Sequence, residues 1–183
     1  MSGSVGDNTA RASGVIASAG GGAILQVKSV QLNSTVSVGT GTTPVAITAF
    51  DIAFTPTAAT SVLCLQLSMQ AGTDGTGVGG YFYDSTGTAK IQPYAASAGS
   101  RQRLTFAGTT NSTSRSENIN FTAWFTPGDA TTRTIQVFGA ASGSPALYIN
   151  RSNGDTDNTT LNYARQASTF TITEYDGSLV TVA

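Results

Sequence analysis

The chain has 183 residues with 10 acidic and 9 basic side chains and no histidine. Charged residues make up only 10% of it, against about 25% in ordinary soluble domains, and threonine, serine, glycine and asparagine take their place. A net charge of −1 excludes the basic stripe that nucleic acid requires and the polybasic patch that anionic membranes attract, and no apolar run approaches the about 20 residues of a membrane helix.

This length suits one domain with a core of its own. Residues 1–23 are small, polar and glycine-rich, with Val5, Val15 and Ile16 as their branched apolar side chains. Such a segment cannot build a core alone. It is either a disordered tail or an extended arm that orders on a partner, and the expectation carried forward is the arm. Its contacts would run through Asn8, Thr9 and Arg11 and through Val15 and Ile16. The opening residues lack the apolar stretch of a signal peptide, which predicts synthesis in a cytoplasm and no standard export. On that expectation the sequons at Asn33, Asn111, Asn120 and Asn158 are incidental to an Asn/Thr-rich chain.

Ile24–Leu32 is the first predicted strand, extended after a turn by residues 35–38. Residues 39–44 form a turn ending in Pro44, which cannot donate to a ladder. Residues 45–55 read as one long strand whose apolar phase breaks between Ile47 and Phe50, as at a bulge. Residues 61–71 give the clearest alternation: Leu63, Leu65, Leu67 and Met69 face a core, and Gln66, Ser68 and Gln70 face out. Residues 72–80 read as a glycine-rich connection. They are no phosphate loop, because Gly-Lys-Ser/Thr and a following helix are both missing. An aromatic strand over 80–84 follows, then a short strand over 90–94 limited by Pro93. Residues 101–109 read as a strand with Leu104 and Phe106 inward and Arg101 and Arg103 outward.

After a polar loop, residues 117–126 alternate again, with Ile119, Phe121, Ala123 and Phe125 on one face. Trp124 falls on the other face, either as an anchor of a subunit interface or beneath a loop. Residues 133–139 bring Ile135 and Val137 inward. Leu147, Tyr148 and Ile149 start the closing pair of strands. Residues 168–173 complete it, with Phe170 and Ile172 on one face and threonines on the other. Leu179, Val180 and Val182 in the tail after Asp176 would make an extra edge strand. Nine or ten short strands, regular turn signals and no helical periodicity predict an all-β fold. We expect a single jelly-roll-like antiparallel β-sandwich over residues 24–176, with an extended N-terminal arm over 1–23 and a short tail over 177–183.

The stretch LYINRS, followed by an Asp-x-Asp loop and YARQASTFTITE, resembles the C-terminal signature of a family of bacteriophage virion proteins of the cyanophage and marine-phage type. These are usually described as tail-fibre or structural proteins. Residues 20–27, GGGAILQV, and residues 98–101, AGSR, resemble two further motifs of that family in the same order. The resemblance implies a β-sandwich displayed on a virion, without saying where.

Chemistry is sparse. Without histidine the commonest general base and metal ligand is missing, and the single Cys64 reads as a buried apolar residue, unable to close an intrachain disulfide. Asp51, Asp84, Glu117 and Glu174 lie on or beside strands, but nothing in their spacing selects the carboxylate pair of a glycosidase. Asn153, Asp155 and Asp157 are the candidates for a metal site. They lack the glycine position and the bidentate glutamate of an EF-hand, and an Asx-rich turn is the better reading. Arg151 and Arg165 flank that loop as candidate partners for its carboxylates, within the chain or between subunits.

The expectation is therefore a non-enzymatic virion surface protein without cofactor. It would be a capsid cement or decoration protein clamping the major capsid protein through its arm, or a tail-fibre knob that joins tail proteins and holds host surface glycans. A homotrimer is expected by analogy with viral jelly-roll knobs, with Trp124, Arg151 and Arg165 at subunit contacts. A carbohydrate-binding module would instead gather Tyr81, Tyr83, Tyr94 and Trp124 into one outward cluster.

Overall fold

The computed structural model describes residues 23–39, 41–75, 77–97, 99–109, 115–142, 146–155 and 165–180. Their strands fall into eight rows. β1 (Ile24–Leu32) and β2 (Val36–Gly39) make the first row, β3 (Val45–Ala46) and β4 (Ile52–Phe54) the second. β5 (Val62–Gly72) and β6 (Gly77–Asp84) are the third and fourth. β7 (Ala89–Lys90) and β8 (Phe106–Gly108) share the fifth, β9 (Ser116–Phe125) is the sixth and β10 (Arg133–Ser142) the seventh. β11 (Ala146–Ile149) and β12 (Ser168–Tyr175) make the eighth.

One sheet, here sheet A, runs in row order 1-8-3-6 through the pairs β1·β12, β11·β2, β12·β5, β11·β5 and β5·β9. The other, sheet B, runs 2-7-4-5 through β10·β3, β10·β4, β10·β6, β6·β7 and β6·β8. Every pair is antiparallel. Two four-row sheets interleaved in this order form a jelly-roll sandwich.

Period-2 alternation fills the space between the sheets. Leu63, Leu65, Leu67 and Met69 of β5 are all buried, and Phe82 of sheet B stacks on Phe170 of sheet A with ring centroids 5.5 Å apart. Phe50, Phe54, Ile135, Val137, Leu147, Ile149 and Ile172 close around them. Burying each such side chain stabilises the fold by about 1.5–3 kcal/mol. One side of the sandwich is closed by edge-strand side chains. Lys28 Nζ and Gln26 Nε2 of β1 each donate to a carbonyl on the β4 side, Ala53 O and Thr55 O, both at 2.7 Å. These contacts occupy acceptors that an edge strand would otherwise offer to another chain.

Several predicted elements differ from the observed ones. Residues 45–55 are not one bulged strand: a 3-10 turn, Thr48–Phe50, separates β3 from β4. The turn brings Ile47 and Phe50, which are out of phase for a strand, into the core together. Residues 77–80 belong to β6 instead of a loop. Their glycines serve close packing: a Cβ on Gly80 would collide with the Phe138 carbonyl and the Phe106 ring. β7 stops at Lys90, before the cis Gln92–Pro93 bond, and Ile91 turns into the core. Only Phe106–Gly108 of the predicted strand over 101–109 joins a sheet, and Leu104 is half-buried. Among the described residues, the chain after Asp176 forms a turn and no edge strand.

Candidate functional site

Three of the four carboxylates singled out from the sequence, Asp51, Asp84 and Glu174, are committed to protein partners. Asp84, at the end of β6, pairs with Arg133 at the start of β10, and both side chains are buried. Arg133 also reaches the exposed Asp129, whose carboxyl is held below the ordinary range, first by the Thr131 backbone N–H and then by Arg133. Glu174 is fully buried on the inner face of β12 and accepts from Thr57 N–H and Gln26 Nε2, both at 2.6 Å, and from Thr57 Oγ1 at 3.0 Å. Asp51 accepts from Gln136 Nε2 at 2.9 Å; burial raises its pKa and the Gln136 bond opposes that rise. Glu117 lies on β9, in the groove between β8 and β9.

In the loop after β11, Asp155 is held by Arg165 at 3.1 Å and lies 3.9 Å from Arg151. The Arg151 guanidinium also sits over the Tyr148 ring at 4.1 Å and donates to the Asn153 carbonyl at 3.3 Å. The Asp155 oxygens thus face guanidinium groups, and no group of three or more His, Cys, Asp or Glu gathers among the described residues. Asp157, and the arm residues Asn8, Thr9, Arg11, Val15 and Ile16, lie outside the described residues.

The aromatic residues divide between the two outer faces. On sheet B, Tyr81 stacks on Phe138 at 5.1 Å, Tyr83 lies against Phe138 at 5.0 Å, and Lys90 Nζ covers the Tyr81 ring at 4.1 Å. Burial, with Tyr83 nearby, raises the Tyr81 pKa. Along the same face, Gly77, Gly79, Ala140 and Ser142 floor a hollow of about 340 Å³ with Leu104 and Ala107 on its wall. Tyr94 is engaged separately, under the Arg103 guanidinium at 4.5 Å. Trp124 lies on sheet A against Tyr175, with ring centroids 5.5 Å apart. Tyr81, Tyr83, Tyr94 and Trp124 therefore do not converge on one sugar-stacking platform.

The outer face of sheet A has an ordered chemistry. The register sets Val27, Thr173, Cys64 and Trp124 in one cross-strand row, Ser29, Thr171, Gln66 and Thr122 in the next, and Gln31, Thr169, Ser68 and Asn120 in a third. No charged side chain stands in these rows. The Ser29 and Thr171 hydroxyls bond at 2.9 Å, and an open depression of about 450 Å³ lies over Gln66, Ser68, Asn120, Thr122, Thr169 and Thr171.

One end of the face is apolar. Ile24 (53% exposed), Leu25 (39%), Val27 (55%), Trp124 (37%) and Leu179 (60%) are the large apolar side chains left exposed among the described residues. Ile24, Leu25 and Val27 lie on β1, where Ile24 is opposite Tyr175 and Asp176 N–H bonds to Ala23 O, and Trp124 stands at the far end of the Val27 row against Tyr175. Leu179 follows in the turn closed on the Asp176 carbonyl. Sequence reasoning found Trp124 on the outer face and missed the other four, because which face of β1 looks outward is set by its register with β12.

No protein-family model matches the chain, and no curated protein matches it. Among solved structures it is similar to T=1 particles derived from infectious bursal virus, at 14% identity and a TM-score of 0.42, over 82% of this chain and 36% of that one. It is also similar to the VP2 subviral particle of infectious bursal disease virus (12% identity, TM-score 0.36, 82% of this chain and 38% of that one). The Gx strain of the same virus gives 13% identity and a TM-score of 0.36 over 82% and 41%. The chain spans about two fifths or less of the length of these proteins, and a likeness this distant carries no functional argument.

Proposed function

We propose that this chain is a non-enzymatic structural protein of a virion surface, acting as a capsid cement or decoration protein. The observation that carries this reading is the outer face of sheet A: rows of hydroxyls, amides and apolar groups with no charge among them. An isolated soluble domain disperses charge over such a face, whereas a subunit of a shell covers it. The motif resemblance to phage virion proteins agrees with this, and the jelly-roll order of the sheets is compatible with it although fold alone does not give function. In this reading residues 1–23 lie across neighbouring subunits of the major capsid protein and clamp them. The protein is made in the host cytoplasm and resides on the particle, needing neither cofactor nor nucleic acid. No described helix is long and apolar enough to cross a membrane.

A tail-fibre or adhesin knob is the second reading. The glycine-floored hollow of sheet B, with Leu104 and Ala107 on its wall, favours it, as a place where a neutral host glycan would rest. Copy number in purified particles separates the two. Hundreds of copies over the head are expected for cement. A few copies per tail would transfer the role to the knob, and absence from the particle would end both.

A further inference from the structure

We infer that the outer face of sheet A docks on the same face of a second copy of this chain, about a two-fold axis parallel to the strands. The contact does not depend on the virion reading and is tested without a particle.

Self-complementarity is the argument. Hydroxyl and amide side chains both donate and accept hydrogen bonds, so a face built from Ser29, Thr171, Gln66, Thr122, Gln31, Thr169, Ser68 and Asn120 matches a copy of itself. A charged face would repel its copy. A two-fold axis along the strands lays each row on its own reversed image. Val27 then meets the partner's Trp124 and Ser29 meets the partner's Thr122, so the apolar end covers the apolar end and the polar rows cover polar rows. Two sheets stacked this way lie about 10 Å apart with nearly aligned strands, as within a sandwich. Four strands about 4.8 Å apart, each contributing about nine residues at about 3.3 Å, offer about 570 Å² per copy and about 1,100 Å² in all, just above the lower bound for a specific interface.

The experiment is sedimentation velocity on the full chain over a wide concentration range, with far-UV circular dichroism as the folding control. The wild type is expected to dimerise. Val27→Glu, at an exposed edge position, should weaken the dimer at least about tenfold. Ser29→Glu and Thr122→Lys, both exposed and at opposite ends of one row, should each weaken it, and the double variant S29E/T122K should restore it by setting opposite charges face to face across the axis. Within one chain these positions are three strands apart, about 14 Å, so the rescue reads contact between copies. A monomer at every concentration overturns the inference and assigns the face to another occupant, such as residues 1–22 or a different protein. An odd-order assembly, a dimer indifferent to Val27→Glu, or a double variant that stays dissociated overturns it as well.

Discussion

Glu174 is a carboxylate with no solvent exposure and, among the described residues, no cationic partner. Burial pushes its pKa up, but hydrogen bonds from Ser61, Gln26 and Thr57 together outweigh burial and hold it below the ordinary value. Its charge therefore contributes stability that is present above the unfolded-state pKa, about 4.3, and is lost as pH falls through the lower folded value. Glu174→Gln presents an amide N–H to groups that are themselves donors. It should cost about 1–3 kcal/mol at neutral pH, and urea unfolding should show the wild type losing this advantage in acid while the variant's stability changes less there. None of this was legible in the sequence, where Glu174 was one of several acids beside strands. Its donors come from positions up to 148 residues away. Asp84 and Arg133 repeat the lesson: 49 residues separate them, and only the β6·β10 register makes them a buried ion pair.

At the scale of the element, β5, β9 and β12 were readable because their apolar residues alternate without a break and both faces of the sheet impose the same period. β6 was half-legible: its aromatic end reads as a strand, while glycines that make room for a neighbouring carbonyl look like a loop. The joint between β11 and β12 escaped entirely. Asn150 leaves β11 with φ +63 and is fully buried. Its Nδ2 donates to the carbonyls of Leu32 at 2.7 Å and Ser34 at 2.9 Å, bracing the gap between β1 and β2. Its Oδ1 accepts from Ser168 Oγ, whose oxygen also accepts from Gln70 N–H. One side chain thus ties rows one, three and eight. Asn150→Ala should cost about 2–4 kcal/mol, leaving buried carbonyls unpaired and putting alanine in a left-handed backbone that asparagine tolerates better. Thermal unfolding should show a lower midpoint, whereas Asn153→Ala in the adjacent loop should leave it nearly unchanged.

For the whole molecule, composition and turn spacing were enough to name the sandwich, since nine or ten predicted short strands without helical periodicity leave few other architectures. The row order was not readable from either, because most successive rows lie in different sheets and pair with rows distant in sequence. The apolar end of sheet A was likewise hidden, as it is assembled from β1, β9, β12 and the turn after them. Under the proposed role, attachment and folding are separable. Deleting residues 1–19 should leave the thermal midpoint of the sandwich within a few degrees of the full chain while abolishing incorporation into particles; a truncated chain that still incorporates would remove the clamp. Cys64 adds a consequence of its own. It is the one cysteine of the chain, it stands between Thr173 and Trp124 in the Val27 row of the outer face, and burial raises its pKa. Thiols react as thiolates, so modification by a dissolved reagent must wait for that row to part. The chain carries a stopwatch at a single address: the labelling rate of one sulfur counts how often the sheet breathes, and no second thiol confuses the reading.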